Sequence, residues 1–118
     1  MSKEISANGY HGIFVPILTP VGQTGAIDEA RLRKQVDYVI DHGVDGILAF
    51  GSNSEFYMFD DDEMIDATKA ILDQVAGRVP VMLGVGHIRT SKCVELARKA
   101  AALDVDAVSV LQPMFIQP

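Results

Sequence analysis

The chain has no tryptophan and a single cysteine, Cys93, and its ten basic residues are outnumbered by sixteen acidic ones. One thiol closes no disulfide within the chain, so a disulfide-stapled scaffold is excluded and a reducing, cytoplasmic setting is expected. The net charge of −6 comes with no Lys/Arg cluster, which removes the phosphate-tracking surface that nucleic-acid binding requires. The segment Met1 to Asn8 is polar and mixed in charge, without the apolar stretch of a secretory signal, and no run approaches the length of a membrane span. A soluble protein with no membrane partner is the expectation.

What is present is apolar content sufficient for a core: 48% of 118 residues, the size of one ordinary domain. Four runs rich in β-branched residues, Ile13–Leu18, Gly46–Phe50, Val79–Leu83 and Ala107–Leu111, alternate with segments of helical periodicity. That alternation is the mark of parallel βαβ units, and continuous apolar strands predict a doubly covered sheet or a barrel. The first helix is expected to open at Asp28 and stop at Gly43, with Leu32, Val36, Val39 and Ile40 on one stripe. The second opens near Asp60, where Glu63 completes a capping box, and runs to Gly77. The third opens at Thr90 or Ser91 and is expected to present Val94, Ala97, Ala100 and Ala101 to the sheet. Val44-Asp45-Gly46-Ile47 returns as Val105-Asp106-Ala107-Val108, an echo that two βα units per period would produce.

Each unit occupies about 30 residues, so eight would give roughly the 250 residues of a (β/α)₈ barrel. The fold class is therefore α/β of TIM-barrel type, with residues 1–118 supplying the first four units, the N-terminal half of one barrel domain. Were the polypeptide to end at Pro118, the fourth strand would keep an uncovered edge that should pair with something.

Gly51-Ser52-Asn53-Ser54-Glu55 follows directly on the second strand. Small hydroxyl and amide side chains, with backbone N–H groups beside them, can surround a carboxylate at a strand's carboxyl end. An ordinary Gly/Ser/Asn loop explains the same residues. Glu55 is either a base or an orienting, hydrogen-bonded carboxylate. Thr19, before Pro20 at the end of the first strand, points toward the same mouth or serves the turn alone. Gly84-Val85-Gly86-His87 lacks the third glycine and the distant acid of a dinucleotide fingerprint, so nucleotide binding is rejected. His87 lies where a titrating side chain could reach a site, while His11, His42 and Cys93 show no metal spacing, and Cys93 is expected to pack against a strand.

Together these motifs resemble the dihydrodipicolinate synthase and N-acetylneuraminate lyase family of class I aldolases, from Gly12 to Pro118. The opening Gly12-Ile-Phe-Val-Pro-Ile-Leu-Thr19-Pro20, then Gly25-Ala-Ile-Asp28, Gly43-Val-Asp-Gly46, the Gly51–Glu55 loop, Gly77-Arg-Val-Pro-Val81 and Gly84-x-Gly86 stand in the family's order. The resemblance implies a barrel whose sixth strand supplies a lysine that forms a Schiff base with pyruvate or a related 2-oxo acid, without a further cofactor. It implies that Ser52 and Asn53 hold the substrate carboxylate, with Thr19 nearby, that Ser52 also stands at the proton-relay position, and that Glu55 supports the loop.

Four positions depart from the family pattern. Asn53 replaces a hydroxyl, Ser54 replaces a glycine, and Pro113-Met114-Phe115 stands where the synthases carry Pro-Tyr-Tyr, so Phe115 lacks the relay hydroxyl. Ser-x-x-Glu-Phe looks more like the sugar-acid aldolase branch. Lys3, Lys34, Lys69, Lys92 and Lys99 all lie in the tail or in helical segments, so the Schiff-base lysine is expected beyond Pro118 and the 118-residue chain alone is expected to be inactive. The resemblance also implies a homo-oligomer, commonly a tetramer built from dimers, with residues near Phe115 at the tight interface. A non-catalytic half-barrel that self-associates through its open edges is the alternative.

Overall fold

The computed structural model describes residues 10–112. Within them strand and helix alternate: β1 (Phe14–Pro16), α1 (Glu29–Asp41), β2 (Gly46–Ala49), α2 (Asp61–Val75), β3 (Val81–Gly84), α3 (Thr90–Ala102) and β4 (Ala107–Ser109). Two short 3₁₀ turns, Ser52–Ser54 and Phe56–Met58, lie between β2 and α2. The strands pair in parallel in the order β1-β2-β3-β4.

Sequential parallel strands joined by right-handed crossovers put every helix on the same face of the sheet. The register shows which residues that face takes. Ile47 pairs with Val81 and Ala49 with Leu83, and all four are buried beneath Leu32, Val36, Ile71 and Leu96. Pro16, Leu48, Met82 and Ala107 share the opposite, open face. Of the two expected arrangements, a doubly covered sheet or a barrel, the structure has the barrel's: among the described residues helices cover one face only. Apolar residues recur on the open face because a curved sheet gathers them toward a common axis. The Tyr10 hydroxyl donates to the Asp106 carbonyl at 2.6 Å, tying the segment before β1 to the start of β4. A flat sheet would hold those outer strands about 14 Å apart.

Helix boundaries follow local chemistry. The Asp28 carboxylate accepts the Arg31 N–H at 3.1 Å, and Gly43 follows at φ +87°. Asp60 and Glu63 form the reciprocal capping box, and α2 closes through Ala76 in the left-handed region. The face of α3 differs from expectation. Leu96 and Ala100 are buried, Cys93 and Ala97 half-buried, and Val94 and Ala101 exposed. The stripe is set by the one large aliphatic residue at helical spacing, since burying Leu96 is worth about 2 kcal/mol more than burying an alanine methyl.

Candidate functional site

At the carboxyl ends of the strands lies an open hollow of about 260 Å³, lined by Pro16 from β1, Leu48 from β2, Phe50 to Asn53 and Phe56 from the loop after it, Gly84 from β3 and Gly86 just beyond it, and Ser109 from β4 and Leu111 just beyond it. Its building begins at Phe50. This residue is buried yet held at φ +54°, a conformation that a bulky side chain adopts only when its surroundings impose it. The turn swings the chain over β3, so that a Cβ at Gly84 would overlap the Phe50 carbonyl oxygen. Glycine at 84 is thus a condition of the loop's position.

Beyond Phe50 the first 3₁₀ turn is closed by its own serine. The Ser54 hydroxyl donates to the Gly51 carbonyl at 2.7 Å, and Ser54 is only 2% exposed. Ser54 therefore stabilises the loop and does not offer its hydroxyl to the hollow, unlike its part in the expected polar cluster. The Asn53 amide donates to the Pro16 carbonyl at 3.0 Å, pinning the turn to β1. The first intra-turn bond is Ser54 N–H to Gly51 carbonyl, 3.1 Å, so the turn leaves the Ser52 and Asn53 amide hydrogens unbonded. The Ser52 hydroxyl, exposed at the rim, has no hydrogen-bond partner among the described residues. Its surroundings combine these donors with apolar walls from Leu48, Phe50, Phe56 and Leu111, where a hydrogen bond to an anion is stronger than in open water.

Thr19 and Glu55 stand beside this hollow. Both line a neighbouring groove with Leu18, Arg31, Gln35, Asn53 and Ser54, and only Asn53 belongs to both depressions. The cause is Gln35 on α1, whose amide group donates to the Leu18 carbonyl and accepts its N–H, each at 2.8 Å. That pair of bonds draws the chain off the sheet just after Ile17, and Thr19 follows it outward.

His87 does not enter the hollow. Its Nε2 lies 3.0 Å from the Asp61 carboxylate at the start of α2, while its backbone N–H donates to Cys93 Sγ at 3.1 Å and its carbonyl accepts from that thiol at 3.3 Å. Cys93 accordingly braces the loop after β3, a correction to its expected packing on a strand. His42 sits on Tyr38, its Nδ1 2.7 Å from the Tyr38 carbonyl. Among the described residues no group of three His, Cys, Asp or Glu side chains is placed to hold a metal ion, and no helix is long and apolar enough to cross a membrane. Lys34, Lys69, Lys92 and Lys99 all lie on helices, and none lines the hollow. Phe115, with Pro113, Met114 and Lys3, lies outside the described residues.

One lining residue was not singled out from the sequence. Ser109 pairs in register with Gly84, which places both on the open face, and its hydroxyl has no hydrogen-bond partner among the described residues. Extending the parity of Gly84 across to the fourth strand would have found it.

A parallel βα sheet with a hollow at the strands' carboxyl ends is the arrangement of half a (β/α)₈ barrel. The chain belongs to the dihydrodipicolinate synthetase family, whose model matches residues 9–118. It is similar to the 4-hydroxy-tetrahydrodipicolinate synthase of Pelobacter propionicus, 39% identical over 92% of this chain and 37% of that protein. Among solved structures it resembles a putative dihydrodipicolinate synthetase from Pseudomonas aeruginosa, with TM-score 0.86 and 32% identity over 92% of this chain and 38% of the other. It also resembles YagE, a prophage protein of the same family from E. coli K12 in complex with pyruvate, with TM-score 0.85 and 29% identity over 91% and 36%. The chain thus spans a little over a third of the length of the relatives it matches.

Proposed function

We propose that residues 1–118 are the N-terminal half of a single barrel domain and carry the carboxylate-binding part of a Schiff-base-forming lyase acting on pyruvate or a related 2-oxo acid. The observation that carries this reading is the Ser52 hydroxyl together with the N–H groups of Ser52 and Asn53, unbonded among the described residues, at the rim of an otherwise apolar hollow. Those donors suit a carboxylate and leave its ketone to extend over Gly84 and Gly86. The pyruvate complex of the related prophage protein supports the choice of ligand.

In the complete protein a lysine outside this chain attacks the ketone carbon. Loss of water gives the iminium. Removal of a proton from the adjacent carbon gives an enamine, which adds to an aldehyde; run backwards, cleavage of the adduct yields the same enamine. Ser52 anchors the carboxylate and stands in the proton relay, and Phe115 replaces the relay tyrosine. Asn53 contributes through its backbone N–H and by pinning the turn. The 118-residue chain alone is inactive, and the complete enzyme is a cytoplasmic homo-oligomer.

A second reading rests on exposed apolar residues at the sheet's outer strands. Val108 and Val110 are 44% and 64% exposed, and Ile13 is 71% exposed. A half-barrel covering these by self-association would bind without catalysis. Incubation of the purified protein with pyruvate and borohydride, followed by intact mass, separates the two. One reduced pyruvate on a chain heavier than 12.8 kDa supports the lyase. An unmodified species of 12.8 kDa that elutes as an oligomer means a polypeptide without the nucleophile and supports the self-associating half-barrel as its role.

A further inference from the structure

Gly84 and Gly86 both line the hollow, but the fold requires glycine only at the first of them. A methyl on Gly84 would overlap the Phe50 carbonyl. Gly86 is under no such constraint. Its φ lies outside the left-handed region, and a methyl there would stand 3.5 Å from Phe56 Cζ, 3.7 Å from Phe56 Cε2 and 3.9 Å from Leu111 Cβ, all ordinary contact distances. Phe56 and Leu111 are themselves lining residues, so that methyl would enter the hollow between them. Val85, which separates the two glycines, is wholly buried in the core on the other side. Alanine where the backbone accepts it leaves the unfolded chain less freedom, so glycine at 86 is the less stable choice for the empty fold. It keeps open a space that the protein could have filled.

We propose that Gly86 is a specificity-determining residue that leaves room for an alkyl group of the ligand between Phe56 and Leu111, so that the site takes 2-oxo acids with chains longer than that of pyruvate. This rests on the reading of the hollow as a 2-oxo acid site. The chemistry of the space follows from its walls. The atoms nearest to it are two ring carbons of Phe56 and the Leu111 Cβ, and none of them carries a hydrogen-bonding group. A ligand hydroxyl set against them would lose its water without gaining a partner, whereas methylene groups leave water and gain contact with both walls.

The test uses the complete protein and borohydride trapping at varied concentrations of pyruvate, 2-oxobutanoate and 2-oxopentanoate, a series that lengthens the alkyl group one carbon at a time. The unaltered protein is expected to trap all three. Gly86→Ala is expected to raise the half-saturating concentration of 2-oxopentanoate about tenfold or more, with that of pyruvate changed by less than about threefold. Adding Leu111→Ala withdraws the facing wall and is expected to recover most of that loss, which a folding defect in the single variant would not allow. The urea midpoint of Gly86→Ala should be no lower than that of the unaltered protein. A lowered midpoint, trapping of pyruvate alone by the unaltered protein, or an equal effect of Gly86→Ala on all three acids overturns the assignment of Gly86 while leaving the lyase reading intact. Absence of trapping by any acid in the unaltered protein overturns both.

Discussion

Asp106 holds Val81 by two bonds at once: its backbone N–H donates to the Val81 carbonyl at 2.9 Å, and its carboxylate accepts the Val81 N–H at 2.8 Å. Asp45 holds Ile13 in the same way, at 2.9 and 2.8 Å. The repeated Val-Asp-Gly/Ala entry is thus a clamp at the amino end of a strand, used at β2 against the segment entering β1 and at β4 against the start of β3. Replacing Asp106 by Ala leaves the N–H of the buried Val81 without its acceptor. It is expected to lower the unfolding free energy by about 1–3 kcal/mol, whereas Asp106→Asn, which keeps an acceptor oxygen, loses less than half of that. Urea denaturation of both variants checks the order.

Gly84→Ala should be among the most damaging single changes in the sheet. The new methyl meets the Phe50 carbonyl, which belongs to a turn already held at positive φ. Neither neighbour can rotate away, so the loss is expected to reach about 2 kcal/mol or more. Ligand binding to the hollow should weaken alongside, because the Ser52–Ser54 turn is displaced. A variant with native urea midpoint would show that the turn yields more easily than its backbone bonds suggest.

Asn53 and Ser52 are separable. On the proposed function, Ser52→Ala removes a carboxylate donor and is expected to weaken 2-oxo acid binding about tenfold with little effect on folding. Asn53→Asp removes the amide that pins the turn to Pro16 and sets a carboxylate against that carbonyl. It should weaken binding at least as much and also lower the thermal midpoint. Calorimetric titration and thermal melts of the two variants distinguish anchoring from pinning; equal melts would argue against the pinning role.

Acid sensitivity has one identifiable source at the α1–α2 contact. Asp37 accepts from Arg78 at 2.6 Å and from Gln74 at 2.7 Å. These hydrogen bonds, Arg78's first and Gln74's second, hold the Asp37 carboxyl below its ordinary value. A carboxyl lowered in the folded state binds fewer protons there than in the unfolded chain. Its stabilisation is full above the unfolded value near pH 4 and is lost as the pH falls through the folded one. Arg78→Gln should therefore flatten the fall in stability below about pH 4, slightly, because the pair is exposed to solvent. Urea midpoints measured from pH 7 downward test the slope, and parallel curves would exclude the pair as a contributor.

The sequence by itself determined the order and kind of the elements, because those depend on short-range chemistry. Asp28, the Asp60–Glu63 box and the glycines at 43 and 77 mark helix ends through bonds that close within a few residues. The motif order from Gly12 to Gly86 likewise carried the family and the loop that bears Ser52. Only the tertiary structure decided which face of the sheet is covered, which stripe of α3 is buried, and which side chains reach the hollow. Strand burial depends on crossover handedness and curvature, which no window of residues records. Thr19 stands aside because Gln35, many residues later, takes the backbone of Leu18; Ser54 is used within its own turn; and Ser109 enters through its register with Gly84. Each of these outcomes is a competition between hydrogen-bonding partners distant in the chain or brought together by a turn, and it is settled only when the strands are laid side by side.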